Sequence, residues 1–225
     1  MIRLGLTGSI GMGKTTTAAM FAEEGIAVLS ADDIVHRLYD GPAAALVERE
    51  FPGVTSNDRV DRERLSLQVM GNDEALARLE EIIHPLVRAQ EARMLKAWQA
   101  EGRDIVLLDI PLLFETGGDE RVDRIVVVTC DGDIQRKRVL ARPGMTEDKF
   151  DAILARQLPD EEKRTRADYL IDTGKGLEAA RKSVRAIIAD LRKNDQTAAS
   201  GQGRADPPRG DEQASRHVAR TEAKQ

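Results

Sequence analysis

Apolar positions along the chain follow two rhythms. Short continuous apolar runs occur at 2–7 (IRLGLT), 26–31 (IAVLSA), 104–110 (DIVLLDI), 124–129 (RIVVVT) and 168–172 (DYLID). Runs of this length predict buried strands. Between them apolar residues recur at helical spacing, over Thr15–Glu24, Asp33–Tyr39, Ala43–Glu50, Arg62–Met70, Glu74–Ile83, Leu86–Glu101, Ile134–Ala141, Glu147–Leu158 and Leu177–Leu191. Gly25 supplies a C-terminal cap for the first of these helices. Pro85, directly after His84, is expected to break or bend the helical stretch around it. Continuous apolar strands alternating with helices predict a five-stranded parallel sheet with helices on both faces, a doubly wound α/β domain. The helical patterns filling 33–101 exceed one crossover and predict a helical insertion, a candidate substrate-binding subdomain.

Composition divides the 225 residues in two. The alternation ends at 193. From Asn194 to Gln225 the only large apolar residue is Val218, so this tail is expected to be disordered and solvated. The net charge of -5 and the 3% aromatic content offer neither a global basic field nor a set of stacking platforms, which argues against a nucleic-acid partner. Cys130 is the single cysteine, excluding a disulfide framework within the chain and a cysteine-rich zinc site. No stretch approaches the ~18 apolar residues of a membrane span, and the apolar run at the N-terminus is too short for a signal peptide. These features predict a cytoplasmic protein.

The chemistry begins at Gly8-Ser9-Ile10-Gly11-Met12-Gly13-Lys14-Thr15, which fits GxxxxGK[ST] between a predicted strand and a predicted helix. Glycines there let successive N–H groups turn toward phosphate oxygens, and the helix N-terminus adds its positive dipole end. Lys14 is expected to serve the β- and γ-phosphates, and the Thr15 hydroxyl to ligate Mg²⁺. The loop implies a nucleoside triphosphate but not its acceptor. At the end of the second strand stand Asp32 and Asp33. Asp32, nearer the strand, is assigned to proton handling and Asp33 to capping the following helix. Asp109 ends the third strand, either as a carboxylate for Mg²⁺ or as a structural strand-end acceptor. Arg138 and Arg142 lie four apart on one helical face in QRKRVLAR, as a lid over polyphosphate or as a solvated face, with Lys149, Arg156, Lys163, Arg164 and Arg166 following.

With these residues in place the chain resembles the dephospho-CoA kinase family across nearly all of 1–193. The matching strings are GLTGSIGMGKTT, SADDIVH, LEEIIHPLV (79–87), LLDIPLLFE (107–115), IQRKRVLAR (134–142), Gln157…Lys163 and ADYLIDTG (167–174). The resemblance implies a P-loop kinase fold and transfer of the γ-phosphate of ATP, with Mg²⁺, to the 3′-hydroxyl of the ribose of dephospho-CoA. It implies that Gly8 and Gly11 to Thr16, including Met12, Gly13 and Thr16, form the ATP loop. Asp32 would then be the base, Arg138 the lid arginine with Arg142 beside it, 33–101 the CoA-binding region and 135–166 the lid. Ser30 stands where the family commonly has aspartate, and Thr173 where it often has asparagine. Two other readings compete: a P-loop kinase for another small acceptor, and a nucleotide-binding adaptor without turnover. His36 is expected on a helix surface and His84 at a helix junction. Glu115 is left between substrate binding and shaping its loop.

Overall fold

A computed structural model describes residues 1–199. The chain divides after Ile187 into a first compact unit, Met1–Ile187, and a second that begins at Ile188. The first holds a sheet of five parallel strands: β1 (Ile2–Thr7), β2 (Ala27–Ser30), β5 (Ile105–Asp109), β6 (Arg124–Thr129) and β7 (Tyr169–Asp172). Their order across the sheet is β2-β5-β1-β6-β7. All five occur where the apolar runs predicted them. The central strands are apolar almost throughout because both sheet faces are covered: Leu4, Leu6, Val106, Leu107, Val126 and Val127 are buried.

The order reverses at β1, which has β5 on one side and β6 on the other. In such sheets the crevice beyond the carboxyl ends of the strands at this switch point receives ligands. Register fixes what stands at the rim. Asp109 lies opposite both Leu6 of β1 and Ser30 of β2. The loop after β1, the start of the helix after β2 and the end of β5 therefore meet at one edge.

The segment between β2 and β5 folds around a core that it shares with Leu29 of β2. Helices α2 (Ala31–Tyr39), α3 (Ala44–Glu50), α4 (Arg62–Val69) and α5 (Asp73–Ala100) bury Ile34, Leu38, Val47, Phe51, Leu65, Leu79 and Ile83 together. Two features depart from the sequence expectation. First, α5 runs unbroken through Pro85. Ile83 on one side and Leu86, Val87, Leu95 and Trp98 on the other all pack on that core. Their burial offsets the roughly 3 kcal/mol that an interior proline costs. His84 and Pro85 themselves are exposed, so no junction forms there. Second, the insertion is not wholly helical. Thr55–Ser56 (β3) and Arg59–Val60 (β4) pair as an antiparallel hairpin, turned by Asn57 and Asp58, both at positive φ.

Beyond β6 come α6 (Gly132–Leu140), α7 (Glu147–Leu154) and α8 (Asp160–Thr165). The helix predicted over 147–158 thus stops at Leu154. The last helix, α9 (Leu177–Ala199), continues past the boundary expected at 193, and the remainder of the expected disordered tail, 200–225, lies outside the described residues. Among the described residues no helix is long and apolar enough to cross a membrane.

Candidate active site

The loop between β1 and α1 (Lys14–Glu23) wraps a cavity of about 360 Å³ lined by Gly8, Gly11, Gly13, Lys14, Thr15, Thr16, Asp32 and Arg142. Its curl requires glycine. Gly11 and Gly13 sit at φ 80° and 95°. A Cβ on Gly8 would lie 2.6 Å from the Val128 carbonyl oxygen, so the loop could not approach β6 as closely with any side chain there.

Lys14 and Asp109 meet inside this rim, Nζ to Oδ1 at 2.5 Å. Burial pushes the Asp109 carboxyl above its ordinary range; Lys14 opposes this, and the charges of Asp32 and Asp33 add to it. Asp109, read from sequence as a metal ligand or a structural acceptor, is thus first of all the partner of the loop lysine.

Asp32 is exposed in the first turn of α2. It lines the phosphate-loop cavity and also a second one of about 540 Å³, formed within the insertion by Val35, Tyr39, Arg62, Leu65, Ser66, Val69 and Leu79. The Arg62 guanidinium lies 5.7 Å from the centre of the Tyr39 ring. The expected capping role of Asp33 is corrected: Ser30 is the N-cap, its hydroxyl accepting from the Asp33 N–H at 3.2 Å. A serine hydroxyl at the half-in position is well placed for that bond, whereas Asp33 already lies within the first turn. Both aspartates still sit favourably at the positive end of α2.

Arg138 and Arg142 line a third cavity of about 280 Å³ with Gly11, Gly13, Thr16, Thr173, Gly176 and Leu177. Arg142 lines the cavity around the glycine-rich loop as well. Arg138 donates from Nη1 to Thr173 Oγ1 at 2.9 Å and from Nη2 to the Thr173 carbonyl at 3.0 Å. The Thr173 hydroxyl donates onward to the Met12 carbonyl at 2.7 Å. Met12 contributes only backbone here. Its side chain is buried, with the sulfur 3.4 Å from Cys130 Sγ.

The remaining basic residues of the expected lid do not converge on this site. Arg136 pairs with Glu147, and Lys149 donates to the Gly144 carbonyl. Arg166 pairs with Asp119 and lies over the Phe114 ring. Lys163, read from the sequence as part of the lid cluster or of a solvated helix face, is 0% exposed, with Nζ 2.9 Å from Glu115 Oε1. Glu115 also accepts the Leu158 N–H at 2.7 Å. Burial raises its carboxyl pKa, but those two partners outweigh it and hold the group below its ordinary range. Glu115 therefore shapes the loop after β5. Sequence reasoning missed this pair, and the two glutamines that hold Ile10, treated below. The signals were the strings that hold Glu115, Gln135, Gln157 and Lys163, none of which ties these residues to one another.

Comparison with known proteins agrees with this geometry. The family model for dephospho-CoA kinase matches residues 2–178. A dephospho-CoA kinase of Mesorhizobium japonicum is 62% identical over 192 residues, 85% of this chain and 98% of the relative. One of Rhizobium meliloti is 56% identical over 192 residues, covering 85% and 99%. Among solved structures, TT1252 from Thermus thermophilus superposes with a TM-score of 0.73 at 32% identity, covering 84% of this chain and 97% of that one. A dephospho-CoA kinase from Campylobacter jejuni gives 0.63 at 25% identity, covering 84% and 96%.

Proposed function

The chain belongs to the dephospho-CoA kinase family, and from that premise we propose how its own residues divide the work. The enzyme transfers the γ-phosphoryl group of ATP to the 3′-hydroxyl of the ribose of dephospho-CoA, giving CoA and ADP. The backbone of Gly8 and Gly11–Thr16 cradles the triphosphate at the N-terminus of α1, and Lys14 serves the β- and γ-phosphates. Arg142, which lines the same cavity, and Arg138, held beside the loop by Thr173, offset the charge that spreads over the transferring group. The insertion receives dephospho-CoA. The observation that carries this reading is that Asp32 lines both cavities, the phosphate one and the acceptor one. A carboxylate between donor and acceptor can orient the ribose hydroxyl and take its proton late in transfer.

The chemistry of the donor set fits a magnesium ion carried on the phosphates. Thr15 and Asp109 offer hard oxygen donors beside Lys14, and such a cation usually takes one or two protein oxygens with phosphate and water completing its shell. Bound there, it would neutralise charge on the β- and γ-phosphate oxygens. We also propose a cytoplasmic location, which the free, buried Cys130 suits.

A coupled ADP-release assay tests the reading, with dephospho-CoA against adenosine and shikimate as acceptors. Turnover confined to dephospho-CoA, and lost in Asp32→Asn with both ligands still bound, is the expected result. Equal turnover of all three acceptors would overturn it.

A further inference from the structure

Within the phosphate loop, Ile10 is held by both of its backbone groups. Its N–H donates to Gln157 Oε1 at 3.0 Å, and its carbonyl accepts from Gln135 Nε2 at 2.7 Å. The two side chains come from different elements. Gln135 lies in α6 and is 7% exposed, while Gln157 lies in the turn between α7 and α8 and lines the phosphate cavity. Ile10 thus points neither backbone group at a ligand. Both are spent on fixing the loop.

Each glutamine is itself anchored. The first turns of α6 pack directly on the loop: a Cβ on Gly11 would meet the Gln135 carbonyl oxygen at 3.1 Å. Gln157 is followed by Leu158, whose N–H is taken by Glu115, and Glu115 is paired with the buried Lys163. A glycine-rich loop loses more conformational freedom on ordering than other chain segments. When the protein's own side chains meet that cost, the nucleotide does not have to, and donors fixed in advance act more strongly on charge developing in the transition state.

We propose that Gln135 and Gln157 are positioning residues for phosphoryl transfer, gripping Ile10 from two sides so that the phosphate loop holds its receiving shape before nucleotide arrives. The proposal rests on reading residues 8–15 as the phosphate loop. Its polarity makes it testable. Gln157 must accept, and Gln135 must donate. A carboxylate accepts but cannot donate, so the same substitution has opposite consequences at the two positions.

The experiment measures kcat and KM for ATP, per folded molecule, in Gln135→Glu, Gln135→Met, Gln157→Glu and Gln157→Leu, with Lys14→Ala alongside. Gln135→Glu, Gln135→Met and Gln157→Leu are expected to lose tenfold or more in kcat. Gln157→Glu is expected to keep most of kcat while KM for ATP rises severalfold, because its charge faces the phosphates. Parental kcat in Gln135→Met and Gln157→Leu would overturn the proposal, as would a Gln157→Glu enzyme as slow as Gln157→Leu. If these glutamines merely supported the fold, melting temperature would fall while kcat per folded molecule stayed level, and that too would overturn it. An active Lys14→Ala enzyme would instead overturn the phosphate-loop reading beneath it.

Discussion

Arg138 grips Thr173 twice, through the side-chain hydroxyl and the backbone carbonyl, and Thr173 in turn donates to Met12 in the phosphate loop. A guanidinium on α6 is thereby aligned with the loop through one small side chain. Thr173→Val keeps the shape but removes the hydroxyl. A hydrogen bond to a charged group is worth about 1.5–3 kcal/mol, so we expect a loss of roughly tenfold or more in kcat/KM for ATP. Thr173→Ser should recover most of it. Steady-state kinetics with varied ATP decide the point.

Lys14→Ala should fold and bind dephospho-CoA yet transfer almost nothing. Loss of a preorganised charge contact of this kind costs on the order of 3–4 kcal/mol in the transition state. Single-turnover kinetics with a thermal melt separate chemistry from folding.

The two adjacent aspartates should behave differently. Asp32→Asn is expected to lower kcat by ~10²-fold or more with little change in ligand affinity. Asp33→Asn should be mild, because the cap on α2 is Ser30. Ser30→Ala should instead cost about 1 kcal/mol of stability, read by urea unfolding, and Ser30→Asp should not.

Glu115 and Lys163 should respond unequally to removal. Glu115→Ala leaves a fully buried ammonium without its counter-charge. Breaking a buried pair in this way costs about 3–5 kcal/mol. Lys163→Met removes the buried charge and leaves Glu115 with the Leu158 N–H, so it should cost less. Chemical denaturation of the two variants in parallel gives the comparison.

Arg3 and Asp123 predict a pH dependence. Arg3 donates to Asp123 from Nε, Nη2 and its backbone N–H. The side-chain bond to Arg3 holds the Asp123 carboxyl below its ordinary range, against a smaller opposing effect of burial. A carboxyl depressed in the folded state stabilises the fold fully above its unfolded pKa and loses that contribution as pH falls through the folded value. Asp123→Asn should therefore be less stable than the parent at neutral pH. The gap should close as the medium is acidified below the ordinary aspartate range, as a series of melts would record.

The sheet and the phosphate loop were legible in the sequence because each rests on a local pattern: five continuous apolar runs, and glycines at fixed offsets before Lys14. What was not legible depends on partners far along the chain. Nothing near Lys163 marks it as buried, because its counter-charge is Glu115. Gln135 and Gln157 stand in two of the family-matching strings, but no local pattern gives either a role until the fold brings Ile10 between them. Pro85 misled because local sterics favour a break, while burial of Ile83 and Leu86 on one core favours continuity. The hairpin at 55–60 was within reach, since Asn57-Asp58 between short β-prone stretches is a turn signal, but helical spacing on either side masked it.

Helix α2 belongs to two structures at once. Its first turn carries Asp32 to the phosphate cavity, and Ile34 and Leu38 on the same helix are set in the core of the insertion. No flexible linker separates them, so whatever settles the insertion also settles the carboxylate. Binding energy gathered along the length of a large acceptor can thus be spent on aligning one reacting atom at its end. On the proposed reading, in which the insertion takes the acceptor, the pantetheine arm, remote from the new bond, is expected to contribute to speed as well as to grip, and an acceptor stripped to its nucleoside to forfeit turnover rate beyond what weaker binding alone would take.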